Sequence, residues 1–126
     1  MKTFACVLSA FVAGVLTTLA FAHPPVQDPV KLSPQFYKVL LDNDQVRVLE
    51  YRLPVNGKEP MHSHPPGIVY VFSPGRFKTA TPDGKVQTSE SQGGTVSWRD
   101  YTVHSAENIG TTEYHALAVE LKKVCK

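Results

Sequence analysis

The sequence predicts an all-β protein, an antiparallel sandwich or barrel forming one domain, and three observations carry that prediction. From Phe36 onward the chain is built of short runs rich in Val, Tyr, Phe and Thr, residues that fit a pleated, half-buried surface. Turn chemistry interrupts those runs roughly every 8–12 residues. No stretch past the amino terminus shows the 3.6-residue periodicity of an amphipathic helix.

The first element is a leader rather than part of the fold. Lys2 is followed by an uncharged, largely apolar run from Thr3 to Ala22 that ends in the small-x-small box Ala20-Phe21-Ala22. This is the pattern of a secretory signal peptide, residues 1–22, with cleavage before His23. Ser9, Gly14, Thr17 and Thr18 dilute the run and no basic stop signal follows it, so cleavage is expected over membrane anchoring. The mature protein is therefore expected to be periplasmic or secreted, with no membrane partner. Residues 23–35 form an extended proline-rich arm: Pro24, Pro25 and Pro29 fix φ and withhold backbone donors.

The globular domain is expected over residues 36–122. Its candidate strands are Tyr37–Leu41, Val46–Leu53, Ile68–Ser73, Arg76–Thr81, Lys85–Ser89, Thr95–Arg99, Tyr101–Ser105 and Glu113–Leu121. Asp42-Asn43-Asp44, Asn56-Gly57, Pro74-Gly75, Pro82-Asp83-Gly84 and Gly93-Gly94 separate them. These residues tolerate positive φ or fix it through proline, as tight turns require.

Removing 22 residues from 126 leaves 104, one domain able to bury roughly 65% of its unfolded surface. Loss of Lys2 lowers the formal charge from +2 to +1, and the longest basic run is Lys122-Lys123, so nucleic acid is not an expected partner. Cys6 leaves with the leader. Cys125 is then the only thiol, which excludes an internal disulfide and leaves either a frayed terminal thiol or a bridge between two chains.

The chemistry is concentrated in histidine. In Met61-His62-Ser63-His64, two imidazoles at i and i+2 of an extended segment project from one face and can share a metal ion. A third ligand must come from elsewhere in the fold, and His104 is the best placed candidate. Period-2 alternation in the last strand puts His115, Leu117, Val119 and Leu121 on one face and Tyr114, Ala116, Ala118 and Glu120 on the other. The first set is the more apolar. It is expected to face the core, which would bring His115 to the site as a fourth ligand or leave it a buried, hydrogen-bonded histidine. Trp98, Arg99, Asp100 and Tyr101 either rim the pocket mouth or are a core Trp beside a solvated ion pair.

Gly57, His62-Ser63-His64 and Gly75-Arg76-Phe77 resemble the first signature of the cupin superfamily, and Gly93 with His104 and Asn108 resembles the second. The resemblance spans roughly Val46 to Leu121. It implies a single cupin-type jelly-roll β-barrel, a divalent metal ion held by His62, His64 and His104, and pairing of barrels into a homodimer through sheet edges. The family's carboxylate ligand would fall at Ile68, so the site resembles the three-histidine variants. Ile68, Tyr70 and Phe72, of one parity, would then line an apolar wall.

Iron, zinc, manganese, nickel and copper all suit such a site. Three neutral imidazoles leave positions open for water, oxygen or a small-molecule ligand and keep the full 2+ charge, which favours a small organic acid. The expected function is a metal-dependent oxygenase or isomerase of such an acid. The alternative is a non-catalytic metal or small-molecule binding module.

Overall fold

The computed structural model describes residues 27–122. The expected leader, residues 1–22, the start of the arm and Cys125 lie outside the described residues. The second half of the arm is not extended throughout. Pro29–Leu32 form a one-turn helix, α1, capped by Asp28, whose Oδ1 accepts from Val30 N at 3.0 Å. Proline at the first helical position surrenders a donor that would have no intrahelical partner there, so Pro29 starts this turn instead of preventing it.

Nine strands follow: β1 (Tyr37–Asp42), β2 (Val46–Leu53), β3 (Lys58–His64), β4 (Gly67–Ser73), β5 (Gly75–Ala80), β6 (Val86–Ser91), β7 (Val96–Arg99), β8 (Thr102–Asn108) and β9 (Tyr114–Leu121). Eight match the sequence-based runs to within a few residues. β3 is the addition: Lys58, Glu59 and Pro60 hide it from a propensity reading. Pro60 is tolerated because the β3–β8 ladder breaks between Glu59 and His62.

The strands form two antiparallel sheets, β1-β2-β9-β4-β7 and β3-β8-β5-β6. This is a sandwich of two open sheets, and no closed barrel forms among the described residues. β1, β7, β3 and β6 remain edges. The β3 edge is partly covered by the segment before α1, where Ser63 N donates to Gln27 O at 3.2 Å. Covering an edge in this way limits unwanted pairing with other chains.

The core lies between the sheets. Leu53, Val71, Tyr114 and Ala116 of the larger sheet meet Phe77 of the smaller one, and Leu49 packs with Tyr37 and Ala118 nearby. Gly75 makes room for the edge-on pair Phe77–Tyr114, since a Cβ there would sit 2.8 Å from both rings. Asn108 ties the end of β8 in place: its Nδ2 donates to Leu53 O and Thr112 O, and its Oδ1 accepts from Gly110 N, each at 2.9 Å.

The inward face of β9 is the opposite of the expected one. Tyr114, Ala116, Ala118 and Glu120 are buried, whereas His115, Leu117, Val119 and Leu121 point away from the core. Hydrophobicity misleads here because the interior must stay open for a cavity and must hold a charged network. Small alanines and a paired glutamate serve that better than a row of branched chains. β4 follows the same logic: Val71 is buried, while Ile68 and Phe72 are 42% and 48% exposed, so the expected apolar wall lies outside the site.

Candidate metal centre

The irregularity in β3 builds the site. Strict alternation would set Glu59 and His62 on opposite faces, but the break between them turns both inward with His64, and all three are buried. β8 runs beside β3 in a register that places His104 opposite His62. The three rings lie 4.7 Å (His62–His64), 4.8 Å (His62–His104) and 5.5 Å (His64–His104) apart between centroids. One ring nitrogen from each lies within 4.8 Å of the others.

The hydrogen bonds fix which nitrogens face inward. His62 Nδ1 lies 2.8 Å from Pro60 O, and His64 Nδ1 lies 2.9 Å from Glu120 Oε1. A carbonyl only accepts, and so does an ionised carboxylate, so both Nδ1 atoms carry the proton. Burial would raise the Glu120 carboxyl, yet its bonds to His64 and Arg47 outweigh that and hold it below the usual range. In the neutral rings both Nε2 atoms are then bare lone pairs, and they face each other at 2.9 Å. Such an arrangement calls for a cation between them. Two nitrogens each about 2.0–2.1 Å from one ion are roughly 2.9–3.4 Å apart at common bond angles, so this pair fits a metal ion as it stands.

Two of the rings, His64 and His104, are kept neutral by their surroundings. Burial lowers His64 to about 4, with Arg99 adding to it and the hydrogen bond that His64 donates to Glu120 opposing it; burial, then crowding by the other two imidazoles and Arg99, lowers His104 to about 3. A neutral imidazole is the form that binds metal, and an imidazole whose other nitrogen is held by a carbonyl or carboxylate is the usual oriented ligand.

Glu120 anchors more than His64. Its Oε2 accepts from Arg47 Nε at 2.8 Å and Nη2 at 2.6 Å, and Arg47 Nη1 reaches Asp28 Oδ2 at 2.8 Å. In sheet register Arg47, Glu120, Gly67 and Arg99 form one row across β2, β9, β4 and β7. Gly67 is required in that row, because a Cβ there would lie 2.0 Å from Val119 O. Arg99 reaches past it to Glu120 Oε1 at 3.4 Å.

A cavity of about 330 Å³ opens beside the histidines, lined among others by His64, His104, Glu59, Tyr51 and Arg99. Glu59 accepts a hydrogen bond from Tyr51 O–H. Burial, then the nearby Glu59 carboxyl, raises the Tyr37 phenol well above its usual range, so it stays protonated.

His62, His64 and His104 thus come together as expected. His115 does not: it lies on the outer face, bonded to Glu50 at 2.9 Å and stacked on Phe72 at 4.5 Å. With its parity reversed, it is no candidate ligand. Trp98 and Arg99 both border the cavity, and Trp98 is no core residue, being 57% exposed. Glu59, Glu120 and Tyr51 were not singled out from the sequence. The available signal for Glu120 was a charged residue alternating with alanines in an otherwise apolar strand.

No family model matches the chain, and no curated protein matches it. Solved structures do. A cupin domain from Bordetella pertussis Tohama I is similar with a TM-score of 0.63 and 29% identity, over 69% of this chain and 92% of that one. An RmlC-like cupin with a double-stranded β-helix fold from Methanocaldococcus jannaschii gives 0.54 and 15%, over 68% and 77%. The polyketide cyclase RemF from Streptomyces resistomycificus gives 0.52 and 22%, over 68% of this chain and 63% of the cyclase. The shared arrangement of strands makes this chain a cupin by fold, as the spacing of its histidines and glycines implies.

Proposed function

We propose that this protein holds one divalent metal ion on His62, His64 and His104 and uses the adjoining cavity to bind and transform a small organic acid, as an oxygenase or isomerase. The observation that carries the metal reading is the pair of Nε2 lone pairs facing each other at 2.9 Å, each set by a fixed Nδ1–H bond. When bound, such an ion polarises a carbonyl or hydroxyl, or activates water or oxygen. The chain's own residues then orient the reactants. Glu120 holds His64, Pro60 O holds His62, and Glu59 with Tyr51 stands on the cavity wall as a hydrogen-bonding pair able to hold a proton.

Calorimetric titration of the metal-free protein with zinc, manganese and iron(II) tests this. One ion per chain is expected, with most affinity lost in each of His62→Ala, His64→Ala and His104→Ala. No uptake, or a His104→Ala variant that binds as tightly as the unaltered chain, would overturn it. Oxygen uptake or proton exchange on an organic acid supports the enzyme. Tight metal binding without turnover of any such acid would leave a binding module instead. We further propose export with cleavage after Ala22, which amino-terminal sequencing of the exported protein checks; a mature chain that retains Met1 to Ala22 refutes it.

A further inference from the structure

Among the described residues, two buried side-chain polar atoms have no protein hydrogen-bond partner: Glu59 Oε1 and Arg99 Nε. Buried polar atoms are ordinarily paired, so each calls for an explanation. Both residues line the same cavity, together with His64 and His104. One atom is an acceptor and the other a donor. Their remaining bonds explain why they are left over. Glu59 Oε2 is taken by Tyr51 O–H. Glu120, the nearest carboxylate to Arg99, is already engaged by the Arg47 fork and by His64, which leaves Arg99 a single contact stretched to 3.4 Å.

One side of the cavity is aromatic, and Thr79, Gln87, Ser89 and Ser91 are among the polar residues that complete the lining. Tyr37 stacks on Tyr51 at 4.7 Å, Tyr51 meets Tyr114 edge-on at 5.7 Å, and Phe77 meets Tyr114 at 4.7 Å. At about 330 Å³ the space lies within the range of small-molecule pockets, which combine apolar walls with a few placed polar groups.

We propose that Arg99 and Glu59 are the two recognition poles of a site for an aromatic hydroxy acid. The carboxylate faces the Arg99 guanidinium, whose planar fork suits that group. The hydroxyl donates to Glu59 Oε1, and the ring lies against the tyrosines. This names the substrate class of the organic-acid site proposed above and rests on that reading for its chemistry, although not for recognition itself.

Mandelate is a suitable probe, with phenylacetate lacking the hydroxyl and mandelamide lacking the charge. Calorimetric titration of all three into zinc-loaded and into metal-free protein should show mandelate tighter than either analogue by at least about tenfold, the scale of one lost hydrogen bond to a charged group. Arg99→Gln should abolish the preference for mandelate over mandelamide while keeping that over phenylacetate, and Glu59→Met should do the reverse, with thermal melts showing that both variants fold. Should a variant not fold, the comparison of the three compounds on the unaltered chain still decides. Equal binding of all three, or none up to about 10 mM, overturns the proposal. Discrimination that persists in a protein unable to take up metal would uphold these two poles and overturn the metal reading instead.

Discussion

Glu120→Gln isolates the group on which the candidate site depends. The carboxylate is 1% exposed and accepts three charge-assisted bonds at 2.6–2.9 Å, two from Arg47 and one from His64. Glutamine keeps the volume, so no cavity forms, but it removes the charge and brings an NH₂ group into surroundings that supply only donors. A hydrogen bond to a charged group stabilises by about 1 kcal/mol more than a neutral one, so three such bonds predict a loss of about 3 kcal/mol. That lies at the lower end of the 3–5 kcal/mol, roughly, for breaking a buried ion pair by removing one partner. For a domain of this size it corresponds to a fall in melting temperature of about 12–24 °C.

The same change frees the His64 ring to rotate, and metal affinity should drop about 10–100-fold. Circular-dichroism melting of the metal-free protein reads the first effect, and zinc titration calorimetry on folded variant at low temperature reads the second. A stability change below about 0.5 kcal/mol together with unaltered affinity would show that the network does not hold the site, and the assignment of His64 as an oriented ligand would fail with it.

His115→Ala should leave metal affinity within about twofold of the unaltered chain, because the ring faces Glu50 and Phe72 on the outer sheet face; a tenfold loss in titration calorimetry would contradict that placement. Metal-free protein should lose stability on acidification. His64 and His104 sit at about 4 and about 3 when folded against an ordinary 6.5, so the unfolded chain binds more protons between those values and stability falls as pH drops below about 6.5. Denaturant titrations at pH 7.5 and 4.5 should differ by on the order of 2–5 kcal/mol, and equal midpoints would refute the neutral-histidine assignment. The homodimer expected from the sequence is proposed to form across the outer face of the larger sheet rather than its edges: Ile68, Phe72, Val96, Trp98 and Leu121 are 41–65% exposed there, and large apolar side chains grouped on one exposed face mark interaction surfaces. Light scattering should find a dimer that Trp98→Lys weakens at least about tenfold, whereas a monomer at tens of micromolar rules the face out.

The legible and illegible parts of this molecule divide along a physical line. Turn chemistry and strand composition are local, so eight of the nine strands can be read from Asn56-Gly57, Pro82-Asp83-Gly84 and the Val/Tyr/Phe runs between the turns. His62 and His64 are legible because a period of two is also local, and His104 follows once a second signature supplies a partner strand. Glu59 is not legible, since its inward direction depends on a ladder break that only the pairing of β3 with β8 creates. β9 is misread because the apolar-inward rule assumes a filled core, whereas here the interior row consists of Tyr114, two alanines and Glu120. Its charge becomes tolerable only when Arg47 and His64, 73 and 56 residues away in sequence, arrive beside it. Arg99 is half legible: the sequence offers it as a pocket-rim residue or as a solvated partner of Asp100, and the structure sets it on the cavity, but nothing local says that the intervening Gly67 opens a path to Glu120.

That network also links the amino-terminal turn to the site. Asp28 caps α1 through Oδ1 and grips Arg47 through Oδ2, Arg47 forks onto Glu120, and Glu120 holds His64. If the contacts act as a unit, Asp28→Ala should cost more than the roughly 1 kcal/mol of a lost cap, because Arg47 then leans on Glu120 alone. It should also weaken metal binding slightly, by less than about tenfold, although Asp28 touches no histidine. A double-mutant cycle with Glu120→Gln separates the alternatives. Once Glu120 has lost its charge, Arg47 no longer transmits anything from Asp28 to His64, so the second substitution should have little further effect on zinc affinity and the two should be non-additive by about 0.5 kcal/mol or more. Strict additivity in both melting and zinc titration would mean that the cap and the site are independent, and that the segment before β1 serves only to cover the β3 edge.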